Sequence, residues 1–179
     1  GIDNQDIEAI KTVYNGVLRD SANQFYDSKF DIAKLSNIKN DAIKSILSAK
    51  LLEAQNRGIS ISVEIEEPVS NFRIELLDFI TVLSVLCDNA IEATIKATSP
   101  RMTVVFINND DSLVLIVENS IKSEKVDVSH IFARGYSSKG EGRGLGLHNV
   151  NSILEKYPKS TITTRSANHL FSQTIRFCK

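Results

Sequence analysis

The chain has 179 residues, with 21 basic and 22 acidic side chains and a formal net charge of −1 at pH 7. This balance leaves no basic footprint for nucleic acid and no polybasic face for a membrane, so we expect neither as a partner. No apolar run approaches the roughly 20 residues of a membrane-spanning helix. Cys87 and Cys178 lie in apolar settings without metal or redox spacing, which indicates reduced core residues of a cytosolic protein.

The first third of the chain predicts helices. Residues 6–18 carry apolar positions in a three-four-three spacing, and residues 35–56 predict a longer helix that ends near Gly58. One apolar face of this helix comprises Leu35, Ile38, Ala42, Ile46 and Ala49, and a second face beside it comprises Ile43, Leu47 and Leu51. Residues 1–57 are therefore predicted to form a helical appendage, either an element that binds a partner or an ordinary packed helical layer.

The rest of the chain alternates between strand and helix patterns. The predicted order is a strand at 59–65, an apolar helix at 72–97, a hairpin at 102–107 and 113–117, a long loop at 121–142, a helix at 145–157 and a hairpin at 161–165 and 171–177. The first hairpin turns at 108–111, Asn-Asn-Asp-Asp. This order predicts an α+β fold, a two-layer α/β sandwich in which helices cover one face of a mixed, mostly antiparallel sheet.

Glycine is concentrated in one segment, with five of the eight glycines between Gly135 and Gly146. A glycine loop that leads into a helix N-terminus can bind phosphate, although a flexible turn would give the same pattern. The last glycine is followed by Leu147 and His148, which excludes a P-loop, and the spacing does not match the dinucleotide fingerprint.

A polar pair, Asp88 and Asn89, interrupts the apolar helix. Buried polar side chains need partners, so either residue could bond a neighbouring backbone group. Alternatively, Asn89 could offer its amide oxygen to a Mg²⁺ ion that is held by phosphates, because Mg²⁺ keeps few protein ligands.

Three motifs resemble those of a known superfamily. Residues 86–93, Leu-Cys-Asp-Asn-Ala-Ile-Glu-Ala, resemble the N-box of the GHKL (Bergerat-fold) ATP-binding proteins, and residues 142–147 resemble their G2 box. Residues 131–140 resemble the F-box and ATP lid of sensor histidine kinases. Together the motifs are similar to those of the peptide-pheromone quorum-sensing kinases of Gram-positive bacteria, over residues 59–179.

This resemblance implies ATP and Mg²⁺ as cofactors, with Asn89 as the metal ligand. Lys139 and Arg143 would contact phosphates, Phe132 would pack the lid, and the backbone would wrap the phosphates at Gly142, Gly144, Leu145 and Gly146. Residues 58–179 would be the catalytic domain and residues 1–57 the end of a dimerisation and histidine-phosphotransfer region. The implied partners are the protein's own phosphotransfer helices, in a homodimer, and a response regulator, with the chain as the cytoplasmic part of a membrane-bound receptor kinase.

Two positions depart from the superfamily pattern. Asn119 stands where an Asp usually reads the adenine amino group, and the two glycines of that box are missing. An amide oxygen can accept the same hydrogen bond without the assistance of a charge. Val85 stands where hydrolytic relatives carry a water-activating Glu, which favours transfer to another acceptor over hydrolysis.

The acceptor in such kinases is a histidine on a helix, followed by an acidic residue. None of His130, His148 and His169 lies in the predicted appendage, so we expect the acceptor outside this chain and all three histidines to be incidental. The alternative functions are a GHKL protein serine kinase of the anti-sigma type and a nucleotide-binding interaction module without transfer activity.

Overall fold

The computed structural model describes residues 33–132 and 146–179, and from residue 34 onward these belong to one compact unit. The helix expected at 6–18 lies outside the described residues. A 3-10 turn at Leu35–Asn37 precedes the regular elements, which are α1 (Asp41–Asn56), β1 (Ser60–Ile65), α2 (Leu76–Thr94), β2 (Arg101–Asn108), β3 (Ser112–Ser120), α3 (Gly146–Leu154), β4 (Ser160–Ala167) and β5 (Leu170–Cys178). The order of helices and strands expected for this part of the chain is confirmed.

The five strands form one mixed sheet in the order β1-β2-β3-β5-β4. β1 runs parallel to β2, because α2 connects them as a crossover, and the remaining neighbours are antiparallel. Every second residue of β3 from Leu113 to Asn119 is buried, and these positions face the helices. The predicted α+β sandwich is confirmed.

α2 is the centre of the core. Its side chains Phe79, Val82, Leu83 and Cys87 are fully buried, and Phe79 contacts three other rings. The ring centroids lie 4.7 Å from Phe72, 6.4 Å from Phe106 and 5.4 Å from Phe177. Burial of one such side chain contributes about 1.5–3 kcal/mol, so α2 is the main stabilising element.

α2 is shorter at both ends than the sequence pattern of 72–97 predicts. Arg73 has a φ of 68°, in the left-handed region that an α-helix cannot include. Its guanidinium donates instead to the carbonyl of Asn109, 3.1 Å away in the β2–β3 turn. The apolar residues before Leu76 therefore belong to a loop that packs on the core.

The buried side of α1 is the second of the two apolar faces expected from the sequence, extended by Ala54. It consists of Ile43, Leu47, Leu51 and Ala54, whereas Ala42 and Ala49 are exposed. The first face is incomplete because Leu35 lies in the 3-10 turn and Ile38 forms a bridge with Val69, so neither belongs to the helix as expected. The larger side chains of the second face pack against α2 and β1 instead.

Local signals define both ends of α1 and the first turn, and the stop at Gly58 and the turn at 108–111 act as the sequence predicts. Asn40 caps α1 by accepting a hydrogen bond from the Ile43 amide at 3.1 Å. Gly58 ends the helix with a φ of 76°, a conformation that glycine adopts without strain. In the β2–β3 turn, the Asn109 side chain accepts from the Ser112 amide at 2.8 Å. Within the described ranges, no helix combines the length and the apolar character needed to span a bilayer.

Candidate functional site

The end of the glycine-rich segment packs against the polar position of α2. Gly146 begins α3, and a Cβ atom placed there would lie 3.1 Å from Cγ1 of Val85 and 4.0 Å from Nδ2 of Asn89. A side chain at residue 146 would therefore push on α2, which explains why glycine occupies this position. The structure thus brings together two predicted site residues, Asn89 and Gly146.

The two polar residues of α2 have different surroundings. Asp88 pairs with Lys50 of α1, so its charge is satisfied by a tertiary contact. The amide nitrogen of Asn89, by contrast, is buried and has no hydrogen-bond partner in the part of the chain that the structure describes. A buried donor without a partner costs about 1–3 kcal/mol, so this nitrogen calls for a water molecule or a ligand as its acceptor. Asp88 therefore has a structural role, and Asn89 is the candidate for binding.

Asn119 lies near the end of β3, where it is 2 % exposed and pairs with Met102 on β2 and Phe171 on β5. Its Nδ2 donates to the carbonyl oxygen of Ser120 at 2.9 Å. Because a backbone carbonyl can only accept, this bond identifies the nitrogen and leaves Oδ1 as an acceptor for another group. An available acceptor is what the recognition of an amine, a hydrogen-bond donor, requires.

A buried hydroxyl pair connects the end of β3 to the end of α2. The hydroxyls of Thr94 and Ser120 lie 2.6 Å apart, and the Ser120 oxygen also accepts from the Arg101 amide at 3.0 Å. Asn119 precedes Ser120, and Asn89 lies about one and a half helical turns before Thr94. Both candidate residues are therefore placed toward the same end of the interface between α2 and the sheet.

A buried glutamine on the next strand, Gln173, escaped the sequence analysis. It is 2 % exposed on β5, and its Nε2 has no hydrogen-bond partner among the described residues. The register of β5 against β3 pairs Gln173 with Val117 and Phe171 with Asn119, so Gln173 and Asn119 lie on the same face. Strand alternation alone could not identify this neighbour, because the pairing register is a tertiary property.

The start of the long loop is held by the β4–β5 turn. The amide of Ile121 donates to the carbonyl of His169 at 2.9 Å, and the His169 amide donates to the carbonyl of Glu124 at 2.8 Å. Asn168 and His169 form the turn with φ values of 53° and 60°. His169 therefore holds the loop through its backbone, and the expectation that it is not the phosphate acceptor stays a prediction.

Only some of the other predicted site residues lie in the described ranges of the chain. Phe132 is half-buried beside the buried Ile131, and His148 lies on α3 without an acidic residue after it. Five predicted phosphate-binding residues lie outside the described residues: Lys139, Gly142, Arg143, Gly144 and Leu145. Across residues 33–132 and 146–179, no group of three or more His, Cys, Asp or Glu side chains could hold a metal ion.

A polar contact joins the far ends of α2 and α3. The Tyr157 hydroxyl donates to Asp78 Oδ2 at 2.6 Å and accepts from the Glu75 amide at 3.2 Å. The bond from Tyr157 lowers the pKa of Asp78, and the same bond raises the pKa of Tyr157. In the core of α2, burial raises the pKa of the Cys87 thiol to about 12. The bond between Tyr157 and Asp78 helps to position α2 and α3, the two helices that meet at Asn89 and Gly146.

Comparisons with known proteins agree on the family to which this chain belongs. Residues 74–178 match the family described as the GHKL domain. The sensor protein CitS of Bacillus subtilis is 29 % identical over 125 residues, which are 67 % of this chain and 23 % of CitS. The sensor histidine kinase DcuS of Escherichia coli K12 is 30 % identical over 144 residues, which are 78 % of this chain and 26 % of DcuS. The chain thus spans about a quarter of the length of these relatives.

Solved structures support the same fold. The catalytic domain of the histidine kinase ThkA, in a nucleotide-free form, superimposes with a TM-score of 0.66 at 20 % identity, covering 79 % of this chain and 92 % of that one. The predicted resemblance to the catalytic domains of sensor histidine kinases is confirmed, and the narrower resemblance to pheromone kinases stays a prediction.

Proposed function

Because this chain belongs to the GHKL domain family, we propose that it is the ATP-binding catalytic domain of a sensor histidine kinase. GHKL kinase domains bind ATP, generally with Mg²⁺. The proposed reaction transfers the γ-phosphoryl group of ATP to a histidine other than the three in this chain. The chain covers only part of its relatives, so the activity of the complete protein is included in this proposal.

The observation that carries the proposal is the unpartnered amide of Asn89 beside Gly146. A phosphate oxygen at this position would accept a hydrogen bond from Nδ2, and the amide oxygen would remain to bind Mg²⁺, which prefers oxygen ligands. The residues present therefore fit a magnesium nucleotide. Bound Mg²⁺ would neutralise part of the phosphate charge during transfer.

Val85 supports transfer over hydrolysis. Its methyl group faces the position of Gly146, so the neighbour of the proposed phosphate site is an apolar side chain. A valine cannot accept a proton from water, and no general base is available at this position. The reaction would then depend on positioning and electrostatics, with Lys139 and Arg143 proposed to neutralise the phosphates.

The adenine base is proposed to bind near Asn119. The acceptor Oδ1 that remains after the bond to Ser120 matches the exocyclic amine of adenine. Asn119→Leu should weaken ATP binding by roughly 1–3 kcal/mol, whereas Asn119→Asp keeps an acceptor for the amine and should bind ATP more tightly than Asn119→Leu, although it loses the donor to the Ser120 carbonyl. Equal affinity in all three proteins would exclude Asn119 from the site.

The proposed setting is a two-component system that senses a peptide pheromone. Residues 1–57 would end the dimerisation and phosphotransfer region, and the domain from residue 58 onward would be cytoplasmic in a membrane-bound homodimer. The phosphoryl group would pass on to a response regulator. The similarity to sensor kinases supports a response regulator and a dimer, and the motifs of residues 86–93 and 131–147 support the pheromone class.

Calorimetric titration of the chain with ATP, with and without Mg²⁺, tests the binding site. Asn89→Ala should lower the Mg²⁺-dependent affinity at least about tenfold, as expected for loss of a metal ligand. The same change removes a buried donor without a partner, so stability toward urea should stay equal or rise. Asn56→Ala, at an exposed position that ends α1, is the control and should leave affinity unchanged. Unchanged affinity in Asn89→Ala would refute the assignment.

A transfer assay tests the reaction. The chain alone should bind ATP but show little stable autophosphorylation. A separate dimeric fragment that contains a phosphotransfer histidine should become labelled, at low efficiency because the two parts are not linked. The product should be acid-labile and base-stable, as phosphohistidine is. Acid-stable label would favour a serine kinase, and binding without any transfer would favour an interaction module, for which the substitution at Asn119 is the supporting observation.

A further inference from the structure

We propose that Gln173 reads the ring nitrogen N1 of adenine, beside the exocyclic amine that Asn119 reads; this inference rests on the proposed nucleotide site. The observation behind it is the buried amide nitrogen of Gln173, which has no hydrogen-bond partner within residues 33–132 and 146–179 although the side chain is only 2 % exposed. A folded protein retains such a donor at a cost of about 1–3 kcal/mol unless a ligand satisfies it.

The strand register places Gln173 next to Asn119. Asn119 pairs with Phe171 and Val117 pairs with Gln173, so the two amides occupy diagonal positions on one face of β3 and β5. Diagonal neighbours lie about 7–8 Å apart, within reach of long side chains. Val117, which lies directly opposite Gln173, and Ile175, two residues further along β5, are buried on the same face.

The two amides supply complementary hydrogen-bonding groups. Asn119 has its nitrogen engaged by Ser120 and its oxygen left as an acceptor, whereas Gln173 has an unsatisfied donor. The edge of adenine presents a donor at N6 beside an acceptor at N1. Guanine presents the opposite pair, an acceptor at O6 beside a donor at N1. An acceptor from Asn119 and a donor from Gln173 therefore match adenine and oppose guanine, as bidentate amides do elsewhere.

The competing explanation is a structural pair within the sheet. Thr164 lies directly opposite Gln173 on β4, and its hydroxyl is also buried without a partner. A small rotation could join the two side chains, in which case Gln173 would stabilise the β4–β5 pairing and would not contact a ligand. The two roles differ in their consequences, because only a base-reading donor makes affinity depend on the nitrogen at position 1 of the ring.

The experiment titrates the full chain with ATP and with 1-deaza-ATP, in which a carbon replaces N1, in the presence of Mg²⁺. The unmodified chain should bind ATP roughly tenfold more tightly than 1-deaza-ATP, the value of one hydrogen bond to a buried partner. Gln173→Met, which keeps the volume and removes the donor, should bind both nucleotides with the weaker affinity. Its urea midpoint should not fall, because the lost donor had no partner. Thr164→Val, the matched control, should keep the discrimination.

Three results would overturn the inference. Equal affinity of the unmodified chain for the two nucleotides would refute it without any variant. Undiminished discrimination in Gln173→Met would also refute it, and so would an equal loss of discrimination in Thr164→Val, which would indicate the structural pair. In each of these cases ATP still binds, so the proposed function survives. Failure of the unmodified chain to bind ATP would instead refute the proposed function together with this inference.

Discussion

The contact between Gly146 and Val85 makes a quantitative prediction for Gly146→Ala. The added methyl group would lie 3.1 Å from Cγ1 of Val85, whereas carbon atoms prefer about 3.5–4.0 Å. One helix must shift by about half an ångström, and overpacking of this kind costs about 1–3 kcal/mol. Alanine regains up to about 1 kcal/mol of helix propensity, so we expect a net loss of about 1 kcal/mol in the free energy of unfolding.

A double-mutant cycle isolates the contact. Val85→Ala removes methyl groups that are partly buried and should cost about 1 kcal/mol by itself. In the double variant the new methyl group occupies the vacated space, so the two changes should couple by about 1–2 kcal/mol in the favourable direction. Urea unfolding of the four proteins measures this coupling. ATP titrations should show the same rescue, because Asn89 lies against the same glycine.

Gly58 supplies the matched control for this cycle. It has a φ of 76° and no atom within 4 Å of an added Cβ, so Gly58→Ala should cost about 1–2 kcal/mol through backbone strain alone. Val85→Ala should not rescue that loss. Additive effects of Gly146→Ala and Val85→Ala, within about 0.3–0.5 kcal/mol, would refute the proposed packing of α3 on α2.

Three further predictions concern stability and reactivity. Tyr157→Phe should lower the free energy of unfolding by about 1 kcal/mol at neutral pH, because it removes the hydrogen bond to Asp78. Since the pKa of Asp78 is lowered in the folded protein, this loss should be present above about pH 4 and should shrink as the pH falls through the folded pKa. Urea unfolding at several pH values measures it. Asn40→Ala should remove the cap of α1 and cost about 0.5–2 kcal/mol, whereas a loss below about 0.3 kcal/mol in thermal or urea unfolding would contradict the role of the cap. A thiol reagent should label the partly exposed Cys178 in the native protein and reach Cys87 only after unfolding, so rapid labelling of both would contradict the burial of Cys87.

The sequence was sufficient where local chemistry decides the structure. Strand alternation and the apolar run of α2 predicted the order of the elements, and Gly58 ended its helix at the expected place. Pattern reasoning failed for α1, because it counted Leu35 and Ile38 as part of the helix. Those residues form a turn and a bridge whose partner, Val69, is distant in the chain. Local periodicity contains no information about such a partner.

The features of the candidate site also divide into those that the sequence determined and those that depend on the tertiary structure. The sequence by itself supplied the candidate residues, since the motifs contain Asn89 and Gly146, and Asn119 stands where the family usually has an Asp. Only the tertiary structure showed that Lys50 neutralises Asp88, whereas the amide nitrogen of Asn89 has no partner among the described residues. The pairing register of β3 with β5 likewise placed Gln173 beside Asn119. The physical reason is that hydrogen-bond satisfaction depends on groups from distant elements, and their meeting is set by how the sheet and helices pack.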